Sequence, residues 1–181
     1  TVPSHVRLVG SGAGVTTLDA NNAGSAVTFD AVTDAEVSGM TLQHASASGA
    51  GVDIKNSANG ITIVRNVILN NAGQGIRLAG SSSGAILFNT IAGNSAAGIL
   101  ADGAGTWANA RNNILDGNGL GLQVASGGLI RNDYNLLHNT TNLSGVTAGP
   151  NTLTGDPAFA ATGHYVPTAA SLAIDAADVL R

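Results

Sequence analysis

Four ionisable residues are the first candidates for chemistry: Asp30, Asp53, Lys55 and Arg77. Only 10% of the 181 residues are charged, so a local gathering of opposite charges is informative. A cation beside a sugar carboxylate can pair with it or withdraw the neighbouring proton, which is the chemistry of β-elimination. Arg77 and Lys55 are the catalytic candidates on that reading. Asp30 and Asp53 could bind substrate or hold Ca²⁺, a hard cation that takes oxygen ligands. Hydrolysis of a glycosidic bond would need two carboxylates about 5–9.5 Å apart. Strand spacing and rise put Asp30 and Asp53 about 8 Å apart. The plainer alternative is a ladder of surface ion pairs, each worth about 0–1 kcal/mol. Gln123 and Trp107, the only tryptophan, complete the substrate-binding candidates. Trp107 sits in the Gly-rich stretch GAGTWAN, where an exposed indole could stack on a sugar ring.

These residues need elements to hold them, and the chain repeats. Asn66, Asn89, Asn112 and Asn135 recur about every 23 residues, followed two positions later by Ile68, Ile91, Ile114 and Leu137. Gly75, Gly98 and Gly121 keep the same period, each followed by an aliphatic residue, and Gly51 stands one residue out of step. Apolar residues alternate in short runs, as in Val52/Ile54 and Ile76/Leu78, which is the period of a strand and not of a helix. Three short strands per period make a coil. Each strand then pairs with its equivalent one coil away, at about 4.8 Å. The expected fold is all-β: a parallel β-solenoid over residues 1–151, about six coils long, with an irregular tail over 152–181 capping the last coil.

The Asn column is expected at a corner needing φ > 0, a region that Asn and Gly tolerate, with Gly39 and Gly10 in its place in earlier coils. Stacked amides there would form a hydrogen-bonded ladder. Arg65 and Arg111 are expected to be equivalent, with Phe88 between them and Tyr134 one coil later, as a stripe on a second face. Alternation gives the outward columns of the coil-opening strand: Thr28, Asp53, Arg77, Leu100 and Gln123, with Asp30, Lys55, Ala79, Asp102 and Ala125 beside them.

The pattern I-x-x-N-x-I-x-x-N-x-x-x-G-I-x-L resembles the repeat of the right-handed parallel β-helix family, the pectate-lyase-like superfamily. The opening VRLVGSGAGVTTLDA resembles a first coil, and NDYNLLHN, GDPAF and SLAIDAAD resemble the last coil and tail of secreted bacterial members. The resemblance implies right-handedness, secretion or display at a bacterial surface, and an extended polysaccharide as partner along the opening-strand face. It does not carry a hydrolase or epimerase site. There is no Gly-His-Gly segment, and Asp156-Pro157 is followed by Ala158 where the epimerases have His.

Two functions follow. One is a polysaccharide-binding or lyase-like module. The other is a non-catalytic structural or adhesive solenoid of a larger extracellular protein, suggested by an aromatic content of 3%. A net charge of −4 argues against a nucleic-acid partner. Cysteine is absent, so disulfides and thiolate metal sites are excluded. No apolar run approaches the roughly 20 residues of a membrane helix. The histidines, His5, His44, His138 and His164, lack metal-ligand spacing. The N-terminal coil is expected to receive a further domain or a second chain, since an open sheet edge invites pairing.

Overall fold

A computed structural model describes residues 1–160 and 165–177. His164 lies outside them, as do the last four residues of the tail. Among the described residues there are strands and turns and no helix. The strands form three parallel sheets of six, seven and six strands, about five turns of solenoid. Sheet C, of coil-opening strands, contains Val27–Asp30, Ala50–Lys55, Gln74–Ala79, Ala97–Asp102, Leu120–Ala125 and Leu143–Ser144. Sheet A follows with Arg7–Val9, Glu36–Ser38, Ile61–Val64, Ser83–Leu87, Trp107–Arg111 and Leu129–Asp133. Sheet B closes each coil with Thr17–Asp19, Thr41–Gln43, Val67–Leu69, Thr90–Ala92, Ile114–Asp116 and Leu136–His138, and Leu153–Thr154 is its seventh strand.

Parallel register makes the core a set of side-chain stacks. Val27, Val52, Ile76, Ile99 and Leu122 align on the inner face of sheet C. Leu42, Ile68, Ile91, Leu115 and Leu137 align in sheet B. These ten residues are buried, most of them completely. Burying a branched aliphatic side chain is worth about 1.5–3 kcal/mol. The stacks therefore supply what the scarce aromatics do not.

The asparagine ladder is present, with one change of member. Asn66, Asn89, Asn113 and Asn135 are buried at the corner between sheets A and B. Asn66 donates from Nδ2 to Asn89 Oδ1 at 3.2 Å, Asn89 to Asn113 at 3.1 Å, and Asn113 to Asn135 at 2.9 Å. Each Oδ1 also accepts the backbone N–H of the ladder residue one coil earlier. Met40 holds this place in the preceding coil and donates its N–H to Asn66 Oδ1.

Asn112 is not in the ladder. The turn Gly103–Thr106 is one residue longer than its counterpart, so the ladder steps by 23, 24 and 22 residues. Correspondingly Leu115, not Ile114, points into the core. The left-handed residue is the one before each ladder position: Gly39, Arg65, Phe88, Asn112 and Tyr134 all have φ between 53° and 67°. The ladder asparagines are therefore selected for their amides and not for a positive φ. This also separates Arg65 from Arg111. Arg65 shares a corner column with Phe88, Asn112 and Tyr134, whereas Arg111 aligns with Leu87 and Val64 in sheet A.

A second ladder runs down the corner between sheets B and C. Asn71, Asn94, Asn118 and Asn139 donate Nδ2 to the next Oδ1 at 2.8, 2.8 and 2.9 Å. Asn139 closes on Asn142 Oδ1 at 3.2 Å, and Ala45 N–H meets Asn71 Oδ1 at the other end. Both ladders answer the same demand. At a tight corner, buried backbone N–H and C=O groups lose their strand partners and must find others.

In the tail, Phe159 and Tyr165 pack edge to face with ring centroids 5.2 Å apart. Val166 and Ile174 are exposed. Pro167 and Ala173 lie beside Phe88, Asn112 and Tyr134 at the A–B corner, where they line an open recess of about 220 Å³.

Candidate functional site

Sheet C brings Asp30, Asp53, Lys55 and Arg77 together. Thr28 pairs with Asp53, Asp53 with Arg77, Arg77 with Leu100 and Leu100 with Gln123, so the outward column follows the expected register. Gln123 stands two strands from Arg77, with Leu100 between them. Lys55 Nζ is 3.7 Å from both Asp30 Oδ2 and Asp53 Oδ2. Arg77 Nε is 3.2 Å from Asp53 Oδ1, near enough for charge attraction but not aligned as a hydrogen bond. Asp53 is only 7% exposed, covered by the two cations.

This arrangement neutralises itself. Lys55 lies within ion-pair distance of two carboxylates, and Arg77 sits against the other oxygen of Asp53. The cluster is a strip of alternating charge on one sheet face. The donor set also does not fit Ca²⁺, because an ammonium group lies between the two carboxylates that would hold the ion. Among the described residues no three His, Asp or Glu side chains converge as metal ligands. Lys55 is one-third exposed, and its ion pairs are screened by solvent. Lys55→Ala should therefore cost no more than about 1 kcal/mol in a denaturant titration.

Trp107 does not join this cluster. It begins a strand of sheet A, 43% exposed, and lies opposite Leu129 in the next strand. Asn109 pairs with Arg131, and Arg111 with Asp133. The Arg131 guanidinium lies 5.9 Å from the Trp107 ring centroid, and Arg111 lies 5.2 Å from that of Tyr134. Arg111 Nη2 is also 3.5 Å from Asp133 Oδ2. Trp107, Asn109, Arg111, Arg131 and Asp133 line an open groove of about 490 Å³. Of these residues, sequence reasoning singled out only Trp107 and Arg111, and it did not place them together. The missing signal was the alternation Trp107, Asn109, Arg111 aligned with Leu129, Arg131, Asp133.

The outer face of sheet B carries two His–Asp pairs. His44 Nδ1 is 2.8 Å from Asp19 Oδ2, and His138 Nδ1 is 2.7 Å from Asp116 Oδ1. Asp19 also accepts from the Gln43 amide at 3.0 Å and from the Asn21 backbone N–H at 2.8 Å. The Gln43 amide first, then the Asn21 N–H and the His44 ring, hold the Asp19 carboxyl down to about 2. A depressed carboxyl stabilises the fold above its unfolded value, and that contribution is lost as pH falls toward 2. A carbon-detected titration should find Asp19 well below the ordinary carboxylate range, and Gln43→Ala should return it toward that range.

The family model for the right-handed β-helix region matches residues 6–156. The chain belongs to the right-handed β-helix family. No curated protein and no solved structure matches it. For this β-helix, the match and the three parallel sheets agree on the fold.

Proposed function

We propose that this β-helix is a non-catalytic, polysaccharide-binding module of a secreted or cell-surface protein. The observation that carries the binding is an exposed tryptophan on an open strand face, beside a row of planar polar groups. Trp107, Asn109, Arg131 and Arg111 stand in register on two adjacent strands. Aromatic faces take up the apolar side of a sugar ring while amides and guanidinium groups meet its hydroxyls. The observation against catalysis is the closed set of ion pairs around Asp53. A general base must be free to accept a proton, and a substrate carboxylate would have to displace Asp30 or Asp53 from Lys55 and Arg77. The scaffold suits binding, because stacked strands hold surface side chains at fixed spacing and little ordering is needed when a ligand docks.

Native gel electrophoresis in gels containing pectate, alginate, hyaluronan or chondroitin tests this. Retarded migration in at least one of them, relative to a polymer-free gel, is the expected result. Unaltered migration in every gel would overturn the reading.

A further inference from the structure

We propose that the groove on the C-terminal part of sheet A is the glycan-contacting surface, and that it takes a sugar carrying an acidic substituent. This rests on the polysaccharide-binding reading and assigns it a place and a charge. The strands Trp107–Arg111 and Leu129–Asp133 present three outward cross-strand pairs: Trp107 with Leu129, Asn109 with Arg131, and Arg111 with Asp133. The first pair is apolar and exposed, at 43% and 50%. The last is an ion pair. Between them lies Arg131, exposed, with its guanidinium over the indole and no carboxylate within ion-pair distance among the described residues.

The strip is therefore graded from apolar to polar, with one unneutralised cation at its centre. A pyranose stacked on Trp107 would bring a ring substituent within reach of Arg131. A guanidinium binds carboxylate or sulfate through a planar pair of N–H donors. The Asn109 side-chain amide lies beside it, on the paired position, as donor and acceptor for a hydroxyl. On the other flank the neighbouring strand offers only Ser83 and Ala85 opposite Trp107 and Asn109. Small side chains there leave the indole standing above the sheet and accessible. Sheet C is the contrasting surface: its cations are already matched by Asp30 and Asp53. Desolvated aromatic and arginine anchors at the centre of a contact carry most of its affinity.

Trp107 is the only tryptophan, so its emission reports on this groove directly. The whole chain would be titrated with sodium alginate, dextran sulfate and uncharged dextran, with gel retardation followed in parallel. The expected result is a shift or quench of Trp107 emission with alginate, with dextran sulfate, or with both. The responding polymer identifies carboxylate or sulfate as the recognised group. Arg131→Ala should weaken that binding about tenfold or more, the scale of an interface anchor. Arg77→Ala and Lys55→Ala should leave it unchanged. Retardation without any change in Trp107 emission, lost in Arg77→Ala, would overturn the assignment to sheet A while leaving polysaccharide binding standing. Dextran binding as tightly as the acidic polymers, with Arg131→Ala silent, would overturn the acidic specificity. Failure of every polymer to bind, a wider uronate and sulfate panel included, would remove both this inference and the reading beneath it.

Discussion

Asn113→Ala should destabilise the protein by about 3–5 kcal/mol. Asn113 is 1% exposed. Its Nδ2 donates to Ile86 O at 2.8 Å, to Arg111 O at 3.0 Å and to Asn135 Oδ1 at 2.9 Å. Its Oδ1 accepts from Asn89 N at 2.9 Å and from Asn89 Nδ2 at 3.1 Å. Truncation would leave the Asn89 N–H and inward carbonyls buried without partners, at about 1–3 kcal/mol for each unsatisfied group. It would also interrupt a chain of mutually polarised amides. Equilibrium denaturation of the variant against the native chain measures the loss. A loss of about 1 kcal/mol or less would mean that the ladder does not bear the corner.

Gly75→Ala should cost about 3 kcal/mol or more, although Gly75 sits in an ordinary extended strand. A β-carbon there would lie 2.6 Å from Gly98 O, 2.7 Å from Ile91 Cγ2 and 3.0 Å from Asn94 Nδ2. The first contact is with backbone, which cannot step aside, and the third is with a member of the second ladder. Overpacking of this kind forces backbone and rotamer shifts, typically worth about 1–3 kcal/mol and more when rigid groups are struck. Gly98 and Gly121 meet the next coil in the same way, with carbonyl oxygens within 3.0 Å of the added carbon. The glycine column thus marks where the backbones of successive coils approach the inward corner. Gly117 is the control. It has φ = 60° with nothing within 4 Å of the added carbon, so Gly117→Ala should cost only the backbone preference, about 1–2 kcal/mol. Thermal or denaturant midpoints for the pair would check the distinction, and similar midpoints would contradict it.

The parts of this molecule that were legible in its sequence are those with a strict period. The opening strands step by 23 residues through Ile76, Ile99 and Leu122, which aligns Arg77, Leu100 and Gln123; Thr28 and Asp53 join the column through the strand alternation of Val27–Asp30 and Ala50–Lys55. Sheets A and B are reached through turns whose length varies. One added residue at Gly103–Thr106 moved the ladder from Asn112 to Asn113 and the core position from Ile114 to Leu115. The second ladder steps by 23, 24 and 21 residues. Asn71 and Asn94 each stand as the second Asn of N-x-I-x-x-N, 23 residues apart, but no fixed period picks out Asn118 and Asn139. The groove around Trp107 was hidden for the same reason. Opposing Trp107 to Leu129 and Asn109 to Arg131 requires knowing that coil's turn lengths. The charged cluster was visible, and its meaning was not. Residue types alone do not distinguish a cation that is free to act from one already held by two carboxylates.

The central functional claim is that the charged strip on sheet C stabilises a surface and catalyses nothing. The most direct measurement is turnover of pectate, alginate, hyaluronan and chondroitin, with and without Ca²⁺, followed by the ultraviolet absorbance of unsaturated products and by new reducing ends. The account predicts no product from the native chain on any of them, even where the polymer is retained. Product formation that disappears in Arg77→Ala or Lys55→Ala would contradict it and make the strip an active site.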